Sequence, residues 1–280
     1  MERNQAITTG YAPVYRGNLY YEVAGTGQPV LLIHAGVADC SMWENQMANF
    51  RQYYQVICYD ARGYGKSRTE TTRFSNRQDI VDLFKHLGIE KAALIGVSRG
   101  GQIAIDFALE HPESVSALVP VAAGISGYEF TPGDDPQAHH ENELFSQMDE
   151  LWEKKAWEEL ANLQVHVWAD GPEQPEGRAP AKIRDYMRGK IMEDFHRQDG
   201  EATPVPLNPP AIQRLAEIRQ PTLILIGEYD TVNSLAVADE LECQIPLARK
   251  VGIPGAAHMI PMEQPRLFNE VVLEFLKEVL

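Results

Sequence analysis

Short apolar segments and segments of helical periodicity alternate along most of this chain. Apolar residues run almost unbroken through 29–34, 91–97 and 221–227, which is typical of strands buried on both faces of a sheet. Between them, as in 76–87, apolar residues recur every three or four positions, as they do on one face of a helix. Strands that alternate with helices predict a mostly parallel sheet covered by helices on both faces.

The same pattern predicts where the individual elements lie. We expect a hairpin over 11–22 that turns near Gly17-Asn18, and then strands over 29–34, 54–59, 91–97, 115–121, 221–227 and 249–253. Helices are expected over 42–50, 76–87, 98–110, 235–241 and 265–280.

This alternation stops between residues 124 and 210. Two amphipathic helices are predicted there, separated by Pro- and Gly-rich loops. Their apolar faces carry Leu144, Met148, Leu151, Trp152 and Leu160 in one helix and Ile183, Met187, Ile191 and Phe195 in the other. We expect a helical cap over 124–210, inserted into a core formed by 1–123 and 211–280. Three tryptophans, Trp152, Trp157 and Trp168, lie in the cap, where each either packs the cap against the core or lines an apolar pocket. Packing is the commoner role, and Trp152 is our candidate substrate contact.

The segment 93–101 combines a predicted strand, a Gly-x-Ser-x-Gly-Gly motif and the start of a predicted helix. A serine on a tight strand-to-helix turn exposes its hydroxyl, and side chains at Gly96 or Gly100 would collide with the neighbouring strand or helix. Ser98 is therefore a candidate nucleophile. The alternative is a serine that only caps the following helix.

A serine nucleophile needs a histidine base, which a carboxylate orients. Asp230 follows a buried strand by three residues, and His258 lies on the loop before the last helix. Because the carboxyl ends of parallel strands share one edge of the sheet, these residues and Ser98 are expected to converge. The alternatives are a helix-capping role for Asp230 and a surface position for His258.

Five segments in this order resemble the α/β-hydrolase superfamily over almost the whole chain. Besides 96–101 they are His34-Ala35-Gly36, Asp60-Ala61-Arg62-Gly63-Tyr64-Gly65-Lys66-Ser67, Gly227-Glu228-Tyr229-Asp230 and Gly255-Ala256-Ala257-His258. The resemblance implies an α/β-hydrolase fold with a catalytic triad of Ser98, Asp230 and His258. It also implies an oxyanion hole formed by the backbone N–H groups of Gly36, with Val37 as the alternative, and Arg99. The family's His-Gly pair is His34-Ala35 here.

The serine at position 98 separates this chain from the dehalogenase and epoxide hydrolase branches of the superfamily, which use aspartate there. The segment 34–43 looks like the corresponding loop of the 3-oxoadipate enol-lactonase group. We therefore expect a serine hydrolase that cleaves small carboxylic esters or lactones. The alternatives are hydrolysis of a carbon–carbon bond in a vinylogous diketone, perhydrolysis, or a non-catalytic protein that binds a small molecule.

The composition limits the partners. The 280 residues carry a formal net charge of −15, which disfavours nucleic acid and anionic membrane surfaces as partners. An anionic substrate would need a local cation, and Arg99 is our candidate because its planar guanidinium suits a carboxylate. A salt bridge from Arg99 to an acidic cap residue is the alternative.

The remaining expectations concern cofactors, location and assembly. No cofactor or metal is expected, and no apolar stretch is long enough to cross a membrane. Residues 1–5 do not begin a signal peptide, and the separated Cys40, Cys58 and Cys243 favour a reducing compartment, hence the cytoplasm. The oligomeric state is open, and a homodimer is compatible with the sequence.

Overall fold

The computed structural model describes residues 6–197 and 200–280, so the prediction for residues 1–5 lies outside the described residues. A nine-stranded sheet runs through this described part of the chain in the order β1-β2-β4-β3-β7-β8-β10-β11, with β5 beside β2. Strands β1, β2 and β5 pair antiparallel, and β3, β4, β7, β8, β10 and β11 pair with one another in parallel. The strand bounds are β1 Thr8–Val14, β2 Gly17–Ala24, β3 Pro29–Ile33, β4 Gln55–Tyr59, β5 Arg68–Thr69, β6 Thr72–Phe74, β7 Ala92–Val97, β8 Val115–Val121, β9 Ala202–Pro204, β10 Thr222–Gly227 and β11 Ala248–Ile253.

Helices cover both faces of the sheet and fill the segment 124–210. Their bounds are α1 Glu44–Phe50, α2 Asn76–Leu87, α3 Arg99–Glu110, α4 Pro136–Glu153, α5 Trp157–Val165, α6 Ala181–Phe195, α7 Val232–Gln244, α8 Ile260–Glu263 and α9 Pro265–Val279. None of the helices in these described stretches is long and apolar enough to cross a membrane.

The sequence predicted the bounds of most of these elements to within a few residues. Helix α2 and strand β8 begin and end where they were predicted. The predicted hairpin turn near Gly17-Asn18 is wrong, because Val14 pairs with Gly17 and the chain turns at Tyr15-Arg16. The short elements β5, β6, β9 and α8 were not predicted, because two to four residues carry too little periodicity to detect.

The central strands are apolar throughout because each of their faces meets a different layer of helices. In β3, Val30 and Leu32 belong to one buried cluster, which includes residues of α1, α6 and α9. Leu31 and Ile33 belong to a second cluster, which includes residues of α2, α3 and α7. Successive side chains of a strand point to opposite faces, so a strand between two layers needs apolar residues at every position.

The cap, defined here as residues 124–210, contains α4, α5 and α6 and a π-helical turn at His166–Asp170. The single helix predicted around Leu144–Leu160 is two helices, which separate at Lys155, where φ is 54°. Ile183, Met187 and Ile191 of α6 belong to a buried cluster of the core, so this helix packs on the core. Strand β9 near the end of the cap pairs in parallel with β6. The domain division at 124 and 210 stays a prediction.

Candidate active site

Four loops that carry candidate residues leave the same edge of the sheet. Strands β3, β7, β10 and β11 are parallel to one another within the ladder, and their carboxyl ends lead to Gly36, Ser98, Asp230 and His258 respectively. Open α/β sheets place their ligands outside these strand ends. The topology therefore brings the residues of the predicted triad and oxyanion hole to one side of the molecule.

Ser98 occupies a strained turn between β7 and α3. Its φ is 54° and its ψ is −116°, a conformation that residues with a side chain rarely adopt. The backbone N–H of Ser98 donates to the carbonyl of Val121 at 2.8 Å, which ties the turn to β8. Ser98 stands at the N-cap position of α3, but its side chain makes no capping hydrogen bond. The alternative role as a helix cap is therefore not realised.

Three glycines allow this turn to pack against its neighbours. A Cβ at Gly96 would lie 2.2 Å from the carbonyl oxygen of Gly100, and one at Gly100 would lie 2.3 Å from that of Ile33. A Cβ at Gly101 would lie 2.4 Å from Cβ of Ala123. The predicted collisions at Gly96 and Gly100 are therefore confirmed, and the backbone of α3 lies directly against β3 and β7.

His258 and Asp230 form a buried pair. Nδ1 of His258 lies 2.9 Å and 3.0 Å from the two carboxylate oxygens of Asp230, and the residues are 5% and 6% exposed. A carboxylate can only accept, so Nδ1 carries a proton and Nε2 has a lone pair to act as a base. Thr231, not Asp230, caps α7 by accepting from the N–H of Ser234 at 3.0 Å. The alternative roles of a helix cap and a surface histidine are not realised.

The Ser98 hydroxyl makes no hydrogen bond to His258 among the described residues. Such bonds are often long in free enzymes and shorten when substrate binds, so their absence does not exclude a nucleophile–base pair. The structure brings Ser98 to the edge where the histidine–aspartate pair lies, and the triad as a whole stays a prediction.

A buried ion pair holds the loop of His258, which is residues 254–259 and is called the histidine loop below. Glu263 accepts from the N–H groups of Ala257 and Met259, each at 3.0 Å. Arg178 of the cap pairs with Glu263 and donates to the carbonyl of Gly255 at 2.8 Å. Burial raises the pKa of Glu263, although these donors favour its charged form. No sequence pattern pointed to this pair, whose members are 85 residues apart.

Trp168, which the sequence did not single out, is the tryptophan beside His258. The two rings lie 4.7 Å apart between centroids, and Trp168 also stacks on Phe145 at 5.8 Å. Trp152 is 56% exposed and packs against Trp157 and Phe195. The interpretation of Trp152 as a substrate contact finds no support in this position, because the break after α4 leaves that side chain on the cap surface.

The backbone N–H groups predicted to form the oxyanion hole have no hydrogen-bond acceptor among the described residues. In the described part of the chain, the backbone N–H groups of Gly36, Val37 and Arg99 form no hydrogen bond. A Cβ at Gly36 would lie 3.8 Å from the Arg99 side chain, so the loop after β3 and the start of α3 are in contact. This arrangement is compatible with a pair of donors from the two segments, and the assignment stays a prediction.

The Arg99 side chain lies on an aromatic ring and lacks an acidic partner. Its Cζ is 4.6 Å from the ring centroid of Tyr64. Nη1 is buried without a hydrogen-bond partner, and the guanidinium forms no ion pair with any described residue. The alternative of a salt bridge to the cap is therefore not realised.

His34 has a structural role. Its Nδ1 is 2.7 Å from the carbonyl of Ala35, and Nε2 accepts from the N–H of Ala61 at 2.9 Å. Burial, together with the nearby charge of Arg99, lowers the pKa of His34 to about 4. His34 is therefore neutral near pH 7 and joins the loop after β3 to the turn after β4.

The segment 60–67 is also structural. Asp60 accepts from the backbone N–H groups of Cys40 at 2.7 Å and Lys66 at 2.6 Å. Arg62 forms a bidentate pair with Asp79 at 2.7 Å and 3.0 Å. These contacts fix the turn after β4 and the loop that carries Gly36.

Comparisons with known proteins agree with this architecture. The family model described as "alpha/beta hydrolase fold" matches residues 28–265. A 2-hydroxy-6-oxononadienedioate/2-hydroxy-6-oxononatrienedioate hydrolase of Paraburkholderia phymatum is 29% identical, covering 97% of this chain and 96% of its own. A 2-hydroxy-6-oxo-6-phenylhexa-2,4-dienoate hydrolase of Comamonas testosteroni is 26% identical, covering 93% and 91%.

Solved structures show the same fold. The naproxen esterase of Bacillus subtilis superposes with a TM-score of 0.77 at 21% identity and covers 98% of this chain and 92% of its own. The enol-lactonase of Burkholderia xenovorans does so with a TM-score of 0.72 at 22% identity, covering 96% and 100%. The predicted fold class is confirmed. The chain belongs to the α/β-hydrolase family and is a hydrolase.

Proposed function

We propose that this hydrolase cleaves small carboxylic esters or lactones through an acyl-enzyme formed on Ser98. The observation that carries the proposal is the buried His258–Asp230 pair on the loops beside the strained turn of Ser98. A hydroxyl on such a turn is exposed to a substrate, and a neutral imidazole with a free Nε2 can accept its proton.

The reaction has two halves. Ser98 Oγ attacks the carbonyl carbon while His258 Nε2 takes the hydroxyl proton, and Asp230 stabilises the resulting imidazolium. The N–H groups of Gly36 and Arg99 receive the negative charge on the carbonyl oxygen. When the intermediate collapses, His258 returns the proton to the leaving alkoxide, and the alcohol departs. Water then attacks the acyl-enzyme with His258 again as the base, which releases the acid and restores Ser98.

Chemical labelling tests the nucleophile directly. We expect an organophosphonate to modify the protein once and to block hydrolysis of 4-nitrophenyl esters. Peptide mass mapping should place the adduct on Ser98, and Ser98→Ala should be neither labelled nor active. An adduct on another residue, or full activity in Ser98→Ala, would refute the proposal.

We further propose that Arg99 favours substrates that carry a carboxylate. Its guanidinium has no ion-pair partner among the described residues, Nη1 is buried, and the adjacent residue is Ser98. The guanidinium is half-buried and its Nη1 has no hydrogen-bond acceptor, so a substrate carboxylate would supply the missing acceptor and a charge partner. The net charge of −15 makes such a local cation necessary for an anionic substrate.

Two matched esters test this preference. Mono-4-nitrophenyl adipate and 4-nitrophenyl hexanoate share a leaving group and an acyl length, and only the first carries a carboxylate. A hydrogen bond to a charged group contributes about 1.5–3 kcal/mol, so Arg99→Met should lower kcat/KM for the adipate by about 10- to 150-fold. Hydrolysis of the hexanoate should change little, because the oxyanion donor at this position is a backbone group. An unchanged ratio between the two esters would refute the role of Arg99 and leave that of Ser98 intact.

A second candidate reaction is hydrolysis of a carbon–carbon bond in a vinylogous diketone. This candidate is supported by two relatives that cover more than 90% of this chain and are named as dienedioate and dienoate hydrolases. Those names describe carboxylates, so an anionic substrate is common to this candidate and to the preference proposed for Arg99. Assaying the purified protein with a diketone acid beside the adipate ester separates the two. Turnover of the diketone at a higher kcat/KM than the ester would favour this candidate.

A small-molecule ester or lactone is thus the partner that we propose, with neither nucleic acid nor a membrane as a partner. A cytoplasmic location stays a prediction from the cysteines, and the oligomeric state stays open.

A further inference from the structure

Two cysteines that are 18 positions apart in the sequence meet inside the protein. Sγ of Cys40 lies 2.7 Å from Sγ of Cys58, and both residues are buried, at 4% and 0% exposure. The third cysteine, Cys243, is exposed. The spacing of the three cysteines did not predict this contact, which is a finding of the structure.

The backbone holds both thiols in place. Cys58 lies in the middle of the sheet, where β4 pairs with β2 at Glu22 and with β3 at Leu32. Cys40 is fixed through its backbone N–H, which donates to the buried carboxylate of Asp60 at 2.7 Å. The two sulfur atoms are about 0.7 Å farther apart than the covalent S–S bond of about 2.05 Å. A bond between them therefore needs little movement of the backbone.

We propose that Cys40 and Cys58 form a disulfide when the protein folds in the presence of a disulfide oxidant. With oxidised glutathione, one cysteine thiolate attacks the oxidant and releases one glutathione thiolate, leaving a mixed disulfide. The second cysteine, as its thiolate, then attacks that mixed disulfide and releases the other glutathione. Two protein thiols lose two protons and two electrons, and one glutathione disulfide becomes two glutathione thiols.

The bond would connect two segments that support the candidate site. Cys40 follows directly on the loop 34–39 that carries Gly36, and Cys58 precedes the structural turn 60–67 by two residues. Closing the chain between them removes freedom from the unfolded state, so the oxidised protein should be more stable than the reduced one.

The bond should form slowly once the protein is folded. Burial and the neighbouring thiol raise the pKa of Cys40 well above its usual value, which leaves little of the reactive thiolate. A surface cleft of about 500 Å³ is lined in part by Cys40 and gives small thiols a route to it. Oxidation during folding is therefore the efficient route, and reduction of the folded protein should need prolonged exposure to a small thiol.

The test uses Cys243→Ser, which removes the exposed thiol and keeps the buried pair. This variant is unfolded in urea and refolded with either oxidised or reduced glutathione, then denatured and treated with N-ethylmaleimide. We expect no maleimide after oxidised refolding, two after reduced refolding, and a disulfide-linked peptide that contains Cys40 and Cys58. The oxidised form should also unfold at a higher urea concentration.

Three results would overturn the proposal. These are two maleimide adducts after oxidised refolding, a stable glutathione adduct on one cysteine, or a lower urea midpoint for the oxidised form. The matched controls are Cys40→Ser and Cys58→Ser in the same background, which have no second cysteine to complete the exchange. After refolding with oxidised glutathione, each should carry either one free thiol or one glutathione adduct and give no disulfide-linked peptide. The main measurement does not depend on how well these controls fold, because it compares one variant in two buffers. It also does not depend on hydrolysis, so it is independent of the proposed function.

Discussion

Replacing Arg178 with methionine measures how strongly the cap supports the histidine loop. Arg178 pairs with Glu263, whose side chain is 2% exposed, and donates to the carbonyls of Ala169 and Gly255. Methionine keeps an apolar side chain of similar reach and removes these donors and the charge. Glu263 would keep the N–H groups of the loop as donors but would be a buried carboxylate without its cation.

The expected loss of stability follows from this burial. Removing one member of a buried ion pair typically costs about 3–5 kcal/mol, because the other member is left uncompensated. The Arg178 side chain is 17% exposed, so water reaches part of the pair and the lower value applies. With a urea m-value of about 3 kcal/mol/M, a cost of about 3 kcal/mol shifts the unfolding midpoint down by about 1 M. Because the loop carries His258, we also expect kcat/KM to fall by about 10- to 100-fold.

Urea titrations at alkaline and mildly acidic pH provide the assay. Burial already raises the pKa of Glu263, and losing Arg178 raises it further. When a carboxyl group has a higher pKa in the folded state than in the unfolded state, the free energy of unfolding falls as pH rises. The destabilisation caused by Arg178→Met should therefore be larger at alkaline pH. The control Arg178→Met/Glu263→Gln removes both charges and should recover most of the lost stability. An unchanged midpoint in Arg178→Met at alkaline pH would refute the supporting role of this pair.

Three further outcomes are expected. Ser98→Ala and His258→Ala should each lower kcat by about a million-fold, and the double variant should lose little more, because the residues act as a unit. Measuring kcat of both single variants and the double variant on one ester checks this, and additive losses would contradict it. The kcat/KM of the wild type should fall on acidification because the base acts only when neutral, and a flat pH profile would exclude a histidine base. The buried Glu141 accepts from the N–H of Val232, and burial raises its pKa from 4.5 to about 7. Its contribution to the free energy of unfolding should therefore decline as pH rises from 4.5 to about 7. Glu141→Gln keeps the acceptor and should flatten the dependence of the urea midpoint on pH, whereas equal slopes in both proteins would show that Glu141 does not titrate there.

The sequence was sufficient for the features that depend on local pattern and chain order. Strand β8 and helix α2 follow from apolar periodicity, and the turn at Ser98 follows from glycines that must lie against their neighbours. Asp230 and His258 could be chosen because parallel strands deliver their following loops to one edge.

The features that could not be predicted from the sequence depend on contacts between distant segments. Arg178 and Glu263 meet only because the cap folds over the histidine loop, and nothing near either residue encodes this. Trp168 was not chosen over Trp152 for a similar reason, since a π-helical turn sets its direction and helical periodicity does not describe such a turn. Cys40 and Cys58 looked separate because their spacing does not show that the 3₁₀ turn Cys40–Trp43 packs against β4.

The strained backbone of Ser98 affects which substitutions would stabilise this protein. A non-glycine residue held at such angles destabilises the folded state by about 1–3 kcal/mol, and glycine would relieve that strain. A more stable molecule is therefore one substitution away, and it is a molecule without the proposed nucleophile. Selection for thermal stability alone will tend to replace this serine. Screens for stabilised variants of this protein therefore need an activity assay from the first round.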